Sequence, residues 1–175
     1  IKDMIIKGLT SSDSNLVSIS TQTIKSIIDN QKSTKSDNSA KILSELIPAL
    51  ISIISDTDLS ISEPRLIIEI FVLLIKEKVD EETDESSILA GYELVLPILV
   101  YFHNRFGFED YIPSKLVELI ELNPTSFKSV IATSNEELRN EIQKLVSVNL
   151  DQHLDRDGDE VEEQSVAHIE LKTFG

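Results

Sequence analysis

Leu46 to Ile51 reads LIPALI, and Val95 to Val100 reads VLPILV. Both stretches follow one pattern: two apolar residues, a proline, one apolar residue, then two more. The prolines, Pro48 and Pro97, stand 49 positions apart. Each sits inside a longer run at helical spacing. In AKILSELIPALISIISD the residues Ile42, Leu43, Leu46, Ile47, Leu50, Ile51 and Ile54 cover one wide face. ILAGYELVLPILVYFHNRF is apolar almost all round. A proline within such a helix removes a backbone donor and is expected to kink it. Between the two runs lies EPRLIIEIFVLLIKEKV, apolar on nearly every side from Leu66 to Ile75. A helix of that kind must be covered on more than one face, so it is the expected centre of the core.

Outward from this middle, the chain continues to read as helix. Ile1, Met4, Ile5 and Leu9 have helical spacing, and SSDSN after them ends one helix and caps the next. A helix is expected from Leu16 to about Asn30, then a polar loop over Gln31 to Ser39, with Ser39 as the following cap. Ser62 is the expected cap before Pro64, and Ser86 or Ser87 the cap after the charged DEETDESS. Gly107 and Pro113 break the chain, and shorter helical pieces follow each of Pro113 and Pro124. Ser134 with Glu137 three residues on predicts a capping box ahead of a helix with Leu138, Ile142, Leu145 and Val146 on one face. From Asp151 the periodicity stops. The expectation is seven or eight helices and no alternating strand.

Such a chain is either a closed bundle or a segment of α-solenoid, in which helix pairs stack in a row. The proline spacing lies near the roughly 40–47 residue period of HEAT-type repeats. Each proline helix begins a pair, although the partner pieces after Pro97 are short and split. The plainer reading is two unrelated helices with one proline each. The expected class is all-α, a HEAT-like solenoid segment of antiparallel helix pairs over residues 1–150, with a flexible acidic tail over 151–175. The chain begins at Ile1 rather than Met, and is expected to be a fragment or processed piece.

Composition removes whole classes of function. There is no cysteine, hence no disulfide, thiol nucleophile or thiolate metal site. The net charge of −15 opposes a phosphate backbone, and the sixteen Lys and Arg form no basic run, so nucleic acid is not an expected partner. The charge-free run Leu46 to Ser55 is far too short to cross a bilayer, and Ile1 to Leu9 carries Lys2, Asp3 and Lys7, unlike a signal peptide. The expectation is a soluble, intracellular protein.

One stretch has the look of a metal loop. HLDRDGDEVEE, His153 to Glu163, alternates aspartates around a glycine. With Gly158 at position 6 of an EF-hand, Asp157 and Asp155 fall at 5 and 3. His153 then occupies position 1, Glu160 position 8 and Gln164 position 12, where an aspartate, an apolar residue and a bidentate glutamate are needed. The bland reading is a solvated acidic tail, since Asp151 to Glu163 holds seven carboxylates against Arg156. His103, His153 and His168 show no metal spacing, and no nucleophile elbow, phosphate loop or zinc-protease motif occurs. The pairs Glu136–Glu137 and Glu81–Glu82 read as solvated cap and loop residues. No catalytic residue, metal site or cofactor is expected.

The last residues differ. In AHIELKTFG, Ile169, Leu171 and, less regularly, Phe174 alternate with polar residues. A short apolar segment on a flexible link can add a strand to another protein or fill its groove. It can equally fold back on its own domain.

Three features together resemble the C-terminal end of the large HEAT-repeat accessory proteins of the trans-Golgi clathrin adaptor. They are the proline-bearing LIPALISII and VLPILVYF, the segment FKSVIATSNEELRNEIQKLV (Phe127 to Val146), and the terminal IELKTFG after an acidic link. The resemblance implies a non-enzymatic scaffold that helps the adaptor reach trans-Golgi and endosomal membranes, acting through protein partners such as adaptor subunits or accessory proteins. It implies a cytoplasmic protein, peripheral on membranes only through those partners. Two other readings stand beside it. One is another HEAT- or armadillo-type scaffold, such as a nuclear transport or kinase-assembly factor, to whose basic cargo the acidic balance is suited. The other is a helical enzyme domain.

Overall fold

A computed structural model describes residues 1–34, 37–56, 58, 60–80 and 84–154. Among them all regular structure is helical: α1 (Lys2–Leu9), α2 (Ser14–Thr34), α3 (Asp37–Ser55), α4 (Pro64–Asp80), α5 (Glu85–Phe106), α6 (Tyr111–Leu122), α7 (Pro124–Thr133) and α8 (Glu136–Leu154). The helices fall into two units, Ile1–Gly91 and Tyr92–Gly175, with the division inside α5.

In the first unit α1 packs on α2 and α3, α2 on α3 and α4, and α3 on α4. As its all-round apolar sequence requires, α4 is the centre: Leu66, Ile67, Ile68, Ile70, Phe71, Val72, Leu73 and Ile75 are all buried. Each such side chain contributes about 2 kcal/mol when fully withdrawn from water. Glu69, at the edge, pairs with Lys32 of α2 at 3.6 Å. Ile5, Leu9, Ile24, Leu46 and Leu50 complete the core from the other helices.

The approach of α1 to α2 depends on Gly8. A Cβ placed there would lie 1.9 Å from Ser20 Oγ, 2.3 Å from Ser20 Cβ and 2.9 Å from the Leu16 carbonyl oxygen. Ser20 is fully buried, and its hydroxyl donates to the Met4 carbonyl at 3.0 Å. The smallest side chain on one helix thus admits a small polar one from the other, and the polar group has its partner.

Several local expectations change. The polar stretch after Asn30 is not a loop: α2 runs to Thr34 and α3 is helical from Asp37, so Ser39 lies inside a helix. Gln31, 5% exposed, is buried within α2. Ser33 and Thr34 bond back to the carbonyls of Asp29 and Asn30, both at 2.7 Å, and so satisfy their hydroxyls within the helix. Asp13, in the SSDSN cluster, caps α2 by accepting from the backbone N–H groups of Asn15 at 2.9 Å and Leu16 at 3.3 Å. Ser62 does not cap α4. Its N–H donates to the Leu9 carbonyl at 2.8 Å and its hydroxyl to the Ser11 carbonyl at 2.9 Å, which ties it to the α1–α2 turn. Pro64 opens α4 as expected.

Pro48 is the twelfth residue of α3 and Pro97 the thirteenth of α5, and both are exposed. The carbonyls of Ser44 and Glu93, which would have bonded the missing N–H groups, belong to exposed residues open to water. The two proline helices therefore place their prolines alike, as a repeat requires.

In the second unit α6 packs against α7 and α8. Tyr92 is fully buried; its hydroxyl donates to the Leu119 carbonyl at 2.7 Å, and its ring meets Phe127 edge-on with centroids 6.2 Å apart. Burial pushes the Tyr92 phenol up to about 12. Asn123 alone joins α6 to α7. Its N–H donates to Leu119 at the end of α6, and its side chain accepts from the Ser126 N–H at 3.0 Å at the start of α7, whose first residue is Pro124. α8 continues to Leu154, four residues past Leu150.

Among the described residues, α5 is the one helix with the length and composition to cross a membrane. Yet Tyr92, Val95, Leu96, Leu99 and Phe102 on it are wholly buried, while Glu93 and Pro97 are exposed. That is the pattern of a helix covered by its own fold.

Candidate interaction surface

Five of the chain's nine aromatic residues fall between Tyr101 and Tyr111, at the turn from α5 to α6. Gly107 makes the turn: its φ of 64° ends α5, and its N–H donates to the His103 carbonyl at 2.8 Å. The chain then returns with the Glu109 N–H on the Gly107 carbonyl at 2.9 Å. His103 Nδ1 lies 3.2 Å from the Phe108 carbonyl oxygen, so a proton on Nδ1 is donated across the turn.

This geometry builds a continuous aromatic ladder. Tyr101 meets Phe102 edge-on at 5.9 Å, Phe102 stacks on Phe106 at 5.5 Å, and Phe106 stacks on Phe108 at 5.8 Å. Phe108 then meets Tyr111 edge-on at 5.9 Å. Each contact lies in the range where ring quadrupoles attract. Arg105 lies across the ladder, 5.8 Å from the Tyr101 ring centre and 5.3 Å from that of Phe106, and donates to the Tyr101 hydroxyl at 2.5 Å. Lys115 stands 5.5 Å from the Tyr111 ring centre and pairs with Glu118 at 3.0 Å. Phe102 is buried, whereas Tyr101, Phe106, Phe108 and Tyr111 are half-buried, and Glu109 and Asp110 stand exposed at the tip. Half-exposed Tyr, Phe and Arg on a rigid support form the composition from which protein-binding hot spots are made. Sequence reading passed over this surface as a chain break; its signal was the bunching of aromatics in a chain otherwise poor in them.

The expected sites fare differently. Ile169, Leu171 and Phe174 lie outside the described residues, as does the stretch Asp155 to Gln164 that carries most of the calcium-like loop. Among the described residues no group of three or more His, Cys, Asp or Glu could hold a metal ion. Glu136 and Glu137 are exposed in the first turn of α8, and Glu81 and Glu82 are outside the described residues.

Two expected caps belong to neighbours. Asp84, rather than Ser86 or Ser87, begins α5: its carboxylate accepts from the Ser87 N–H at 2.9 Å, from the Ser87 hydroxyl at 2.9 Å, and from the Ser86 hydroxyl. These donors, led by the Ser86 and Ser87 side chains, hold its pKa down at about 2. Asn135, rather than Ser134, begins α8 by accepting from the Leu138 N–H at 2.8 Å, so the Ser134–Glu137 box does not form. Ser134 closes α7 instead, its hydroxyl donating to Val130 at 2.7 Å. Arg139 reaches back from α8 to the carbonyls of Ile131, Ala132 and Ser134 at 3.3, 3.1 and 3.0 Å, satisfying the open end of α7.

Residues 1–156 match the family of LAA1-like, C-terminal TPR repeats. The chain belongs to this family. No curated protein and no solved structure gave a match. The LAA1-like match agrees with the resemblance to the adaptor accessory proteins, and it places the fold in the all-α solenoid class of stacked helix pairs. The family's repeats are described as TPR rather than HEAT; both are helix pairs that bury their apolar faces on their neighbours. The LAA1-like repeat region is thus a helical-repeat scaffold, of a class that binds other proteins and is typically without enzymatic activity. The match takes in all eight helices and ends before Ile169, Leu171 and Phe174.

Proposed function

We propose that this repeat region is a non-enzymatic protein-binding scaffold that helps a clathrin adaptor reach its place in transport between the trans-Golgi network and endosomes. The observation that carries the reading is the LAA1-like family match across every described helix. The partners are proteins, adaptor subunits or their accessory proteins, and the region works in the cytoplasm, peripheral to membranes through those partners. The strongly acidic balance supports protein contact over contact with a nucleic acid backbone. The aromatic ladder from Tyr101 to Tyr111 is the described surface best suited to bind, and Ile169, Leu171 and Phe174 supply a second, apolar contact.

Affinity capture with the full-length protein tests this. Adaptor subunits are expected among the captured proteins, with reduced recovery for Phe108→Ala and for a triple change of Ile169, Leu171 and Phe174 to Ala, both checked for unaltered thermal unfolding. Capture of nuclear transport cargo without any adaptor subunit overturns the proposal in favour of another helical-repeat scaffold.

A further inference from the structure

We draw no further inference here: the strongest candidate, the exposed tip of the aromatic ladder where Glu109 and Asp110 stand between Phe108 and Tyr111, belongs to the surface already described, and nothing in the structure shows what covers it.

Discussion

Adding a single methyl group at Gly8 tests how α1 lies on α2. In Gly8→Ala the new carbon starts 1.9 Å from Ser20 Oγ and 2.3 Å from Ser20 Cβ, where carbon contacts ordinarily settle at about 3.5 Å. Rotating the Ser20 hydroxyl removes only the first conflict, because the Cβ position is fixed by the helix. The helices must therefore part by about 1 Å, an overpacking that costs about 1–3 kcal/mol. Parting them also stretches the bond from Ser20 to the Met4 carbonyl, at a further cost of about 1 kcal/mol. Against this, alanine is the better helix former by about 1 kcal/mol. The balance is a loss of about 2 kcal/mol, a fall in Tm of about 4–8 °C for a chain of this size. Thermal unfolding followed by circular dichroism reads it, and adding Ser20→Gly to the same chain should recover much of the loss. A higher Tm for Gly8→Ala, as expected of a glycine on an open helix face, refutes the reasoning.

Tyr92→Phe removes the hydroxyl on the Leu119 carbonyl and should cost about 1 kcal/mol, read in urea unfolding. Because burial raises the Tyr92 phenol to about 12 in the folded chain, its contribution is complete below its ordinary value near 10 and is lost as pH rises through 12. Absorbance titration should show a late tyrosinate step that the Phe variant lacks; an unchanged titration refutes the burial. For Asp84, held at about 2, the sign is opposite: its stabilisation of the α5 start is present above the usual carboxylate range and fades as pH falls toward 2. Asp84→Ala should speed amide exchange at Ser87 and Ile88 at neutral pH, whereas Ser86→Ala should do so less; equal effects remove Asp84 as the cap. Arg139→Ala strips three carbonyls at the end of α7 of a shared donor and should cost about 1–2 kcal/mol. Arg139→Lys should recover little of it, since one ammonium cannot span the fork; full recovery in unfolding experiments argues for charge rather than geometry.

The helices were legible because their signal is dense. Eight apolar positions in α4 admit no other reading, and the two prolines fall at nearly the same position, the twelfth of α3 and the thirteenth of α5. The caps were less so. Where Asp, Asn and Ser stand side by side, each can accept from a helix N-terminus, and composition does not choose among Asp84, Ser86 and Ser87, or between Ser134 and Asn135. Ser62 shows a different limit. Its partners, Leu9 and Ser11, lie some fifty positions away, beyond the reach of any local pattern. Gln31 read as loop for the same reason, because a polar side chain gives no sign that the fold will bury it. The aromatic ladder needed the turn at Gly107 before its members could be seen as one surface.

Asn123 has a mechanical consequence. It closes α6 through its backbone and opens α7 through its side chain, with no residue left over between the two helices. Pro124 removes one more rotation at that point. The junction therefore leaves little slack, and a tilt of α6 would be passed on to α7. Between α3 and α4, by contrast, eight residues separate the helix ends, and Ser62 among them is held to the α1–α2 turn by its two hydrogen bonds.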